Sequence, residues 1–131
     1  MLRVCLLCLS LLALPAAAQE APIQDTIRKQ ITAFQADDFA KAFTFASPTI
    51  HQLFGTSEAF GKMVREGYPM VWHPSAVEMQ ELRFIGGAFW QRVRVTDGKG
   101  QSYLMDYQMV EGPDGWLINA VQMQKAPDVG A

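Results

Sequence analysis

"QSYLMDYQMV", residues 101–110, is the stretch of this sequence whose side chains alternate most regularly. Successive residues of a β-strand point to opposite faces of the sheet, so the alternation sorts this run into two sets. One face carries Tyr103, Met105, Tyr107 and Met109, and the other carries Leu104, Asp106, Gln108 and Val110. The run is therefore predicted to be a β-strand.

Three further runs of strand length lie around this one, at 76–85, 88–96 and 116–124. Short, glycine-rich connections join the four runs: Gly86-Gly87, Asp97-Gly98-Lys99-Gly100 and Gly112-Pro113-Asp114-Gly115. Such connections suit hairpins and make consecutive strands antiparallel neighbours, which predicts a four-stranded antiparallel meander. The last run is apolar on both sides, as is typical of a central or doubly covered strand, and the pattern leaves the strand order open.

The first half of the chain has helical periodicity. One apolar stripe recurs at helical spacing: Ile23, Ile27, Ile31 and Phe34. Pro22 suits the first turn of this helix, where the backbone nitrogen needs no partner. Three shorter helices are predicted after it, and their capping residues are Asp37 or Asp38, then Ser47, then Thr56 or Ser57. Helices followed by an antiparallel sheet indicate an α+β domain, with the N-terminal helices packed on one sheet face.

The first twenty residues, "MLRVCLLCLSLLALPAAAQE", have the pattern of a secretory signal peptide. Arg3 precedes an apolar run over 4–14, and Ala16 and Ala18 form the small-residue site that signal peptidase cleaves. The alternative is a buried N-terminal helix. We predict a signal peptide over 1–18, a single domain over 19–131 and a periplasmic or secreted location. A membrane anchor needs about 20 consecutive apolar residues, and no run after residue 20 reaches that length. No membrane partner is therefore expected after cleavage.

Composition excludes several classes of function. Both cysteines, Cys5 and Cys8, lie in the predicted leader, so the mature chain has no disulfide, catalytic thiol or Cys-zinc site. The chain carries 11 Lys and Arg against 13 Asp and Glu, for a net charge of −2, without a basic stripe. Nucleic acid is therefore not an expected partner.

"EGYPMVWHP", residues 66–74, connects the last predicted helix to the sheet. Each proline disfavours the helical conformation of the residue before it, so this strap is predicted to be extended. Tyr68, Met70 and Trp72 either fill the core or border a pocket. The strap is interpreted as mainly structural, with its Tyr and Trp at a pocket edge.

Four segments together carry a resemblance to a known family: "ADDFAKAFTFASP" (36–48), Phe54-Gly55, "FGKMVREGYPMVW" (60–72) and "DGW" (114–116). They resemble the bacterial domain of unknown function 4864, which is similar to the nuclear-transport-factor-2-like and polyketide-cyclase-like superfamily of the cystatin-like fold. The resemblance implies a cone, in which a curved antiparallel sheet wraps round a long N-terminal helix and leaves a pocket at the open end. That superfamily includes enzymes and non-catalytic proteins, so no catalytic residue is carried over.

The sequence offers two titratable candidates for chemistry. Asp106 would be a general base if it were buried in a pocket, or it pairs across the sheet with Arg92 or Arg94. His73 is the other candidate base. His51 and His73 lack the spacing of metal ligands, so no metal and no cofactor are expected.

The leading hypothesis is an exported domain that binds a small apolar ligand or a partner protein. The predicted pocket residues are Tyr68, Trp72, His73, Gln91 and Tyr107. The alternative is a small lyase- or isomerase-type enzyme that uses Asp106 or His73 as its base. A third hypothesis is a side-chain-filled pocket, with the sheet serving as a homodimer or partner surface.

Overall fold

The structure, a computed structural model, describes residues 16–127, in which five helices precede four strands. The elements are α1 (Ala16–Gln35), α2 (Phe39–Thr44), α3 (Pro48–Phe54), α4 (Ser57–Gly67), α5 (Pro69–Trp72), β1 (Ala76–Ile85), β2 (Ala88–Thr96), β3 (Ser102–Gly112) and β4 (Gly115–Lys125). The predicted α+β class is confirmed. Residues 1–15, which include most of the predicted signal peptide, lie outside the described residues.

The strands form one open sheet in the order β1-β2-β3-β4, with antiparallel neighbours throughout. The predicted meander is thereby confirmed. Pairing shifts register between Met79 and Leu82 of β1, and at Asn119 of β4, which has no partner between the pairs of Gln108 and Met109. Such bulges bend the strands that contain them, which contributes to the curvature of the sheet.

The last strand is expected from its pattern to be central or doubly covered. A central position is wrong, because β4 is the end strand of the sheet. Its edge is instead covered near Ile118 by the segment between α2 and α3. The Ile118 amide donates to Phe45 O, and the Ser47 amide donates to Ile118 O, which makes Ala46 a parallel bridge partner. This cover comes from a part of the chain about seventy residues earlier.

The core lies between α1 and one face of the sheet. The predicted stripe of α1 is buried, with Ile23 and Ile27 fully inaccessible. The sheet contributes Val93, Val95, Met105, Tyr107, Met109 and Ile118. The face of β3 that holds Met105 is thus the inner face of the sheet, and the face that holds Asp106 is the outer one. Gln30 of α1 is also buried, and its amide nitrogen donates to Ala42 O at 3.2 Å.

Helix α1 begins earlier than predicted, at Ala16, so Pro22 lies inside the helix and not in its first turn. The residues before Pro22 are largely alanine, the strongest helix former, which favours continuing the helix. The proline removes only one backbone donor, and Pro22 O accepts a hydrogen bond from Thr26 Oγ1 at 3.2 Å. The caps of the next three helices are Asp38, Ser47 and Thr56.

Candidate functional site

The strap over residues 66–74 contains a helical turn, so the prediction of a wholly extended segment is wrong. Pro69–Trp72 forms α5, because proline at the first helical position costs no hydrogen bond. The residues before the two prolines, Tyr68 and His73, do keep non-helical backbones, with φ near −136° and −129°. Met70 and Val71 are buried, so one side of the turn closes the core.

The other side of α5 faces the connection between α1 and α2. The indole nitrogen of Trp72 donates to Asp37 Oδ1 at 2.7 Å. Asp37 has a φ of +56°, a left-handed conformation that aspartate tolerates better than most residues. The exposed His73 ring stacks on the Trp72 ring, with centroids 4.1 Å apart. Trp72 therefore joins the strap to the α1–α2 corner, and the His73 ring stacked on it is exposed to solvent.

Phe39 lies at the centre of this corner. Its ring centroid is 6.4 Å from that of Trp72, and the Arg65 guanidinium carbon is 5.0 Å from the Phe39 centroid. A Cβ added to Gly61 would come within 2.8 Å of the Phe39 ring, so the close approach of α4 requires glycine there. The contacts of Phe39 thus hold α2, α4 and α5 together.

An open groove of about 310 Å³ lies beside this corner. We call it the strap groove, and its lining residues are Asp37, Asp38, Phe39, Ala40, Ser57, Glu58 and Arg65. Carboxylates outnumber the single guanidinium in this lining. The groove therefore combines an aromatic ring with charges of both signs.

Gln91 lies inside the fold and is fully buried. Its amide nitrogen donates to Gln80 O and to Arg92 O, both at 2.8 Å, and Gln24 donates to its amide oxygen at 3.4 Å. Gln80 belongs to the β1 bulge, where the ladder is interrupted and a carbonyl needs another partner. Gln91 supplies that partner.

Tyr107 is also buried, with an exposed fraction of 2 %. It lies opposite Gln91 in the β2–β3 ladder. Burial raises the pKa of the Tyr107 hydroxyl above its usual range, and the nearby Tyr68 adds to the rise. The hydroxyl therefore stays protonated at any physiological pH.

Asp106 lies on the outer face of the sheet, opposite Arg92. The guanidinium donates two hydrogen bonds to its carboxylate, at 2.9 and 3.0 Å, and these bonds raise the pKa of Arg92. The two side chains are 25 % and 21 % exposed. Of the two interpretations of Asp106, the structure agrees with the pair across the sheet, and the partner is Arg92.

The five predicted pocket residues separate into two groups. Gln91, Tyr107 and the half-buried Tyr68 belong to the interior, whereas Trp72 is bonded to Asp37 of the strap groove and His73 is exposed beside Trp72. The groove residues Phe39 and Arg65 were not predicted. They come from different helices, and the segments that carry the family resemblance were the only sequence signal at these positions.

Neither histidine belongs to a group of potential metal ligands among the described residues. His51 stacks on Phe43 with ring centroids 3.8 Å apart, and His73 stacks on Trp72. Over residues 16–127 no cluster of three or more potential ligands is found. Over the same range no helix is long and apolar enough to cross a membrane.

Comparison with known proteins gives one family. The family model described as "Domain of unknown function (DUF4864)" matches residues 16–131. Among curated proteins no match is found. A solved structure of a SnoaL-like protein of unknown function from Burkholderia thailandensis is 21 % identical, over 82 % of this chain and 98 % of that one, with a TM-score of 0.47.

Proposed function

The chain belongs to the DUF4864 family, as its resemblance indicated, and we propose that it is an exported binding domain whose ligand or partner occupies the strap groove. The observation that carries this proposal is the division of the predicted pocket residues. Gln91 and Tyr107 fill the interior, whereas Trp72, with His73 stacked on it, is bonded to Asp37 of an open groove. Binding at the surface needs no rearrangement of the core.

The chemistry of the groove suits a small ligand, or a segment of a partner, that has an apolar part and a charged group. Phe39 supplies part of an apolar wall, and the Arg65 guanidinium lies over its ring. Ligand sites commonly combine such rings with a few polar groups that fix orientation. The Trp72–Asp37 hydrogen bond fixes the wall next to the strap before anything binds, which lowers the entropic cost of binding.

We further propose that the domain works in the periplasm or outside the cell. The support is the signal-peptide pattern of residues 1–18. The mass of the protein recovered from the export compartment tests this directly. We expect an N-terminus at Gln19, and a mass that still includes Met1 would contradict the proposal.

Native mass spectrometry of the protein purified from its export compartment tests the binding function. We expect a defined additional mass that is lost on denaturation and is absent from Arg65→Gln. Arg28→Gln is the matched control, because Arg28 is an exposed arginine of α1 that does not line the groove. An added mass that survives Arg65→Gln but is lost from Tyr107→Phe would place the ligand in the interior and contradict the proposal.

The enzymatic alternative has less support. Asp106 lies on the outer sheet face and is bonded to Arg92, away from the core face. His73 is exposed, and its ring is stacked on an indole. A lyase or isomerase that used either residue as its base would have to bind its substrate at a separate place on the surface.

Self-association is a second candidate function. Phe84 and Ile85, at the tip of the β1–β2 hairpin, are 64 % and 54 % exposed. The Phe84 ring packs on the Phe89 ring, with centroids 4.8 Å apart. Adjacent exposed apolar side chains are typical of contact surfaces. Analytical ultracentrifugation of wild type and Phe84→Ser tests a homodimer. A monomer at all concentrations would exclude it.

A further inference from the structure

A second cleft, of about 360 Å³, shares no lining residue with the strap groove. It opens between α1, the end of α2 and the β3–β4 turn, and we call it the hairpin cleft. Its lining residues are Thr26, Lys29, Thr44, Phe45, Pro113, Asp114, Gly115, Trp116 and Leu117. The "DGW" segment, which the strap groove does not use, forms one of its walls.

Hydrogen bonds hold the walls of the hairpin cleft in place. The Thr26 hydroxyl of α1 shares its single proton between Pro22 O and Trp116 O, each at 3.2 Å, which links the helix to the start of β4. The backbone bonds between Ile118 and the segment Phe45–Ser47 tie the end of α2 to the same strand. Each of the three walls is thus fixed to β4, and the cleft is preformed.

The two charged residues of the cleft belong to different walls. Lys29 projects from α1, and Asp114 is exposed in the β3–β4 turn. Lys29 also pairs with Asp25 one helical turn away at 2.8 Å, but both partners are about 60 % exposed. An exposed pair of this kind is worth about 0–1 kcal/mol, so Lys29 can turn to another anion at little cost.

The hydroxyl groups of the cleft have few free protons. Thr26 Oγ1 donates to backbone carbonyls, and Thr44 Oγ1 donates to Lys41 O at 2.6 Å. A sugar or another polyol needs several matched donors and acceptors, which this lining does not supply. A purely apolar ligand would have to sit between two charged side chains. One cation, one anion and an apolar floor with Phe45 suit a different ligand.

We propose that the hairpin cleft binds a small zwitterion with an apolar side chain, that is, a free amino acid or a dipeptide. Its carboxylate pairs with Lys29, its ammonium pairs with Asp114, and its side chain packs on Phe45 and Leu117. The opposed charges fix the direction of the ligand as well as its affinity. This site is separate from the strap groove and does not depend on the proposed function.

NMR titration of the purified, isotope-labelled protein with L-leucine tests the proposal. We expect shifts of the backbone amides of Phe45, Gly115 and Leu117, with a Kd of about 1 mM, as is reasonable for one small ligand held by exposed charges. Lys29→Gln and Asp114→Asn should each raise the Kd about fivefold. Lys99→Gln is the control, because Lys99 is an exposed turn lysine outside the cleft and should leave the Kd unchanged.

Two leucine analogues separate the contributions of the charges. 4-Methylpentanoate lacks the ammonium and isopentylamine lacks the carboxylate, so each should bind more weakly than leucine by a similar factor. Equal binding of 4-methylpentanoate and leucine would overturn the zwitterion site in favour of a simple anion site. Absence of shifts at ten times the expected Kd, or shifts unaffected by both cleft variants, would refute the proposal. Neither result bears on the strap groove.

Discussion

Replacement of Gln91 by methionine decides whether this buried amide serves the fold or a ligand. Methionine has a similar length and fits the same space, so the change removes the polar contacts without opening a large cavity. The Gln80 carbonyl in the β1 bulge then loses its 2.8 Å donor, and the Arg92 carbonyl loses another. An unpaired buried carbonyl costs about 1–3 kcal/mol, so the free energy of unfolding should fall by about that amount.

Urea denaturation followed by circular dichroism measures this change. Gln122→Met is the matched control, because Gln122 is an exposed glutamine of β4, and the free energy of unfolding should change by less than about 0.5 kcal/mol. If Gln91→Met proved as stable as wild type or more stable, the bulge carbonyls would have other partners. The fold would then not require the Gln91 amide, and an interior ligand site would become the better interpretation of this residue.

Gln91→Glu adds a dependence on pH to the same experiment. A buried carboxylate beside two carbonyl oxygens has a raised pKa in the folded state, while its unfolded pKa stays near 4.3. The folded state then holds its proton where the unfolded state has lost it. Stability of this variant should therefore decline as the pH rises above about 4.3, by up to about 1.4 kcal/mol per pH unit. A flat pH profile relative to wild type would show that the position is open to water.

Three further outcomes follow from other contacts. Burial raises the pKa of Tyr107 in the folded state above its unfolded value of about 10, so stability should fall as the pH rises through 10. In thermal melts Tyr107→Phe should reduce this fall, whereas the control Tyr103→Phe should leave it unchanged. Gly61→Ala should cost about 1–3 kcal/mol in urea denaturation, because its new Cβ would meet the Phe39 ring; an unchanged midpoint would contradict the close packing. Trp72→Phe should cost about 0.5–1.5 kcal/mol, because the solvent-exposed Asp37 carboxylate loses the indole donor. A cost that persists when the Asp37 carboxylate is also removed would refute this coupling.

The strands and helix caps could be predicted because their signals are local. Burial of one sheet face imposes the alternation seen in β3, and a cap needs only an oxygen near the first free amides of its own helix. The bounds of β1 and β2 agree with the predicted runs for the same reason. The helical turn at Pro69 was missed because the rule for residues before proline applies to Tyr68 and His73 but not to the residues between them.

The position of β4 and the site residues depend on contacts between distant parts of the chain. The β4 edge is covered by Ala46, and no pattern within β4 indicates that partner. Gln91 is polar within an apolar strand, and only the bulge in β1 explains it. Trp72 and His73 could be predicted to lie together because they are adjacent, whereas their proximity to Asp37 depends on how the helices pack.

The segment that covers β4 also bears on aggregation. A long, straight sheet edge with free amides and carbonyls is a template for another strand, and repeated pairing of this kind builds fibrils. Near Ile118 this edge is occupied by the chain itself. The opposite edge, β1, is interrupted by its bulge and carries exposed charges at Glu78, Glu81 and Arg83. The bulge divides the β1 edge into two short stretches, and the β4 edge is already paired near Ile118, so both features oppose strand addition at these places.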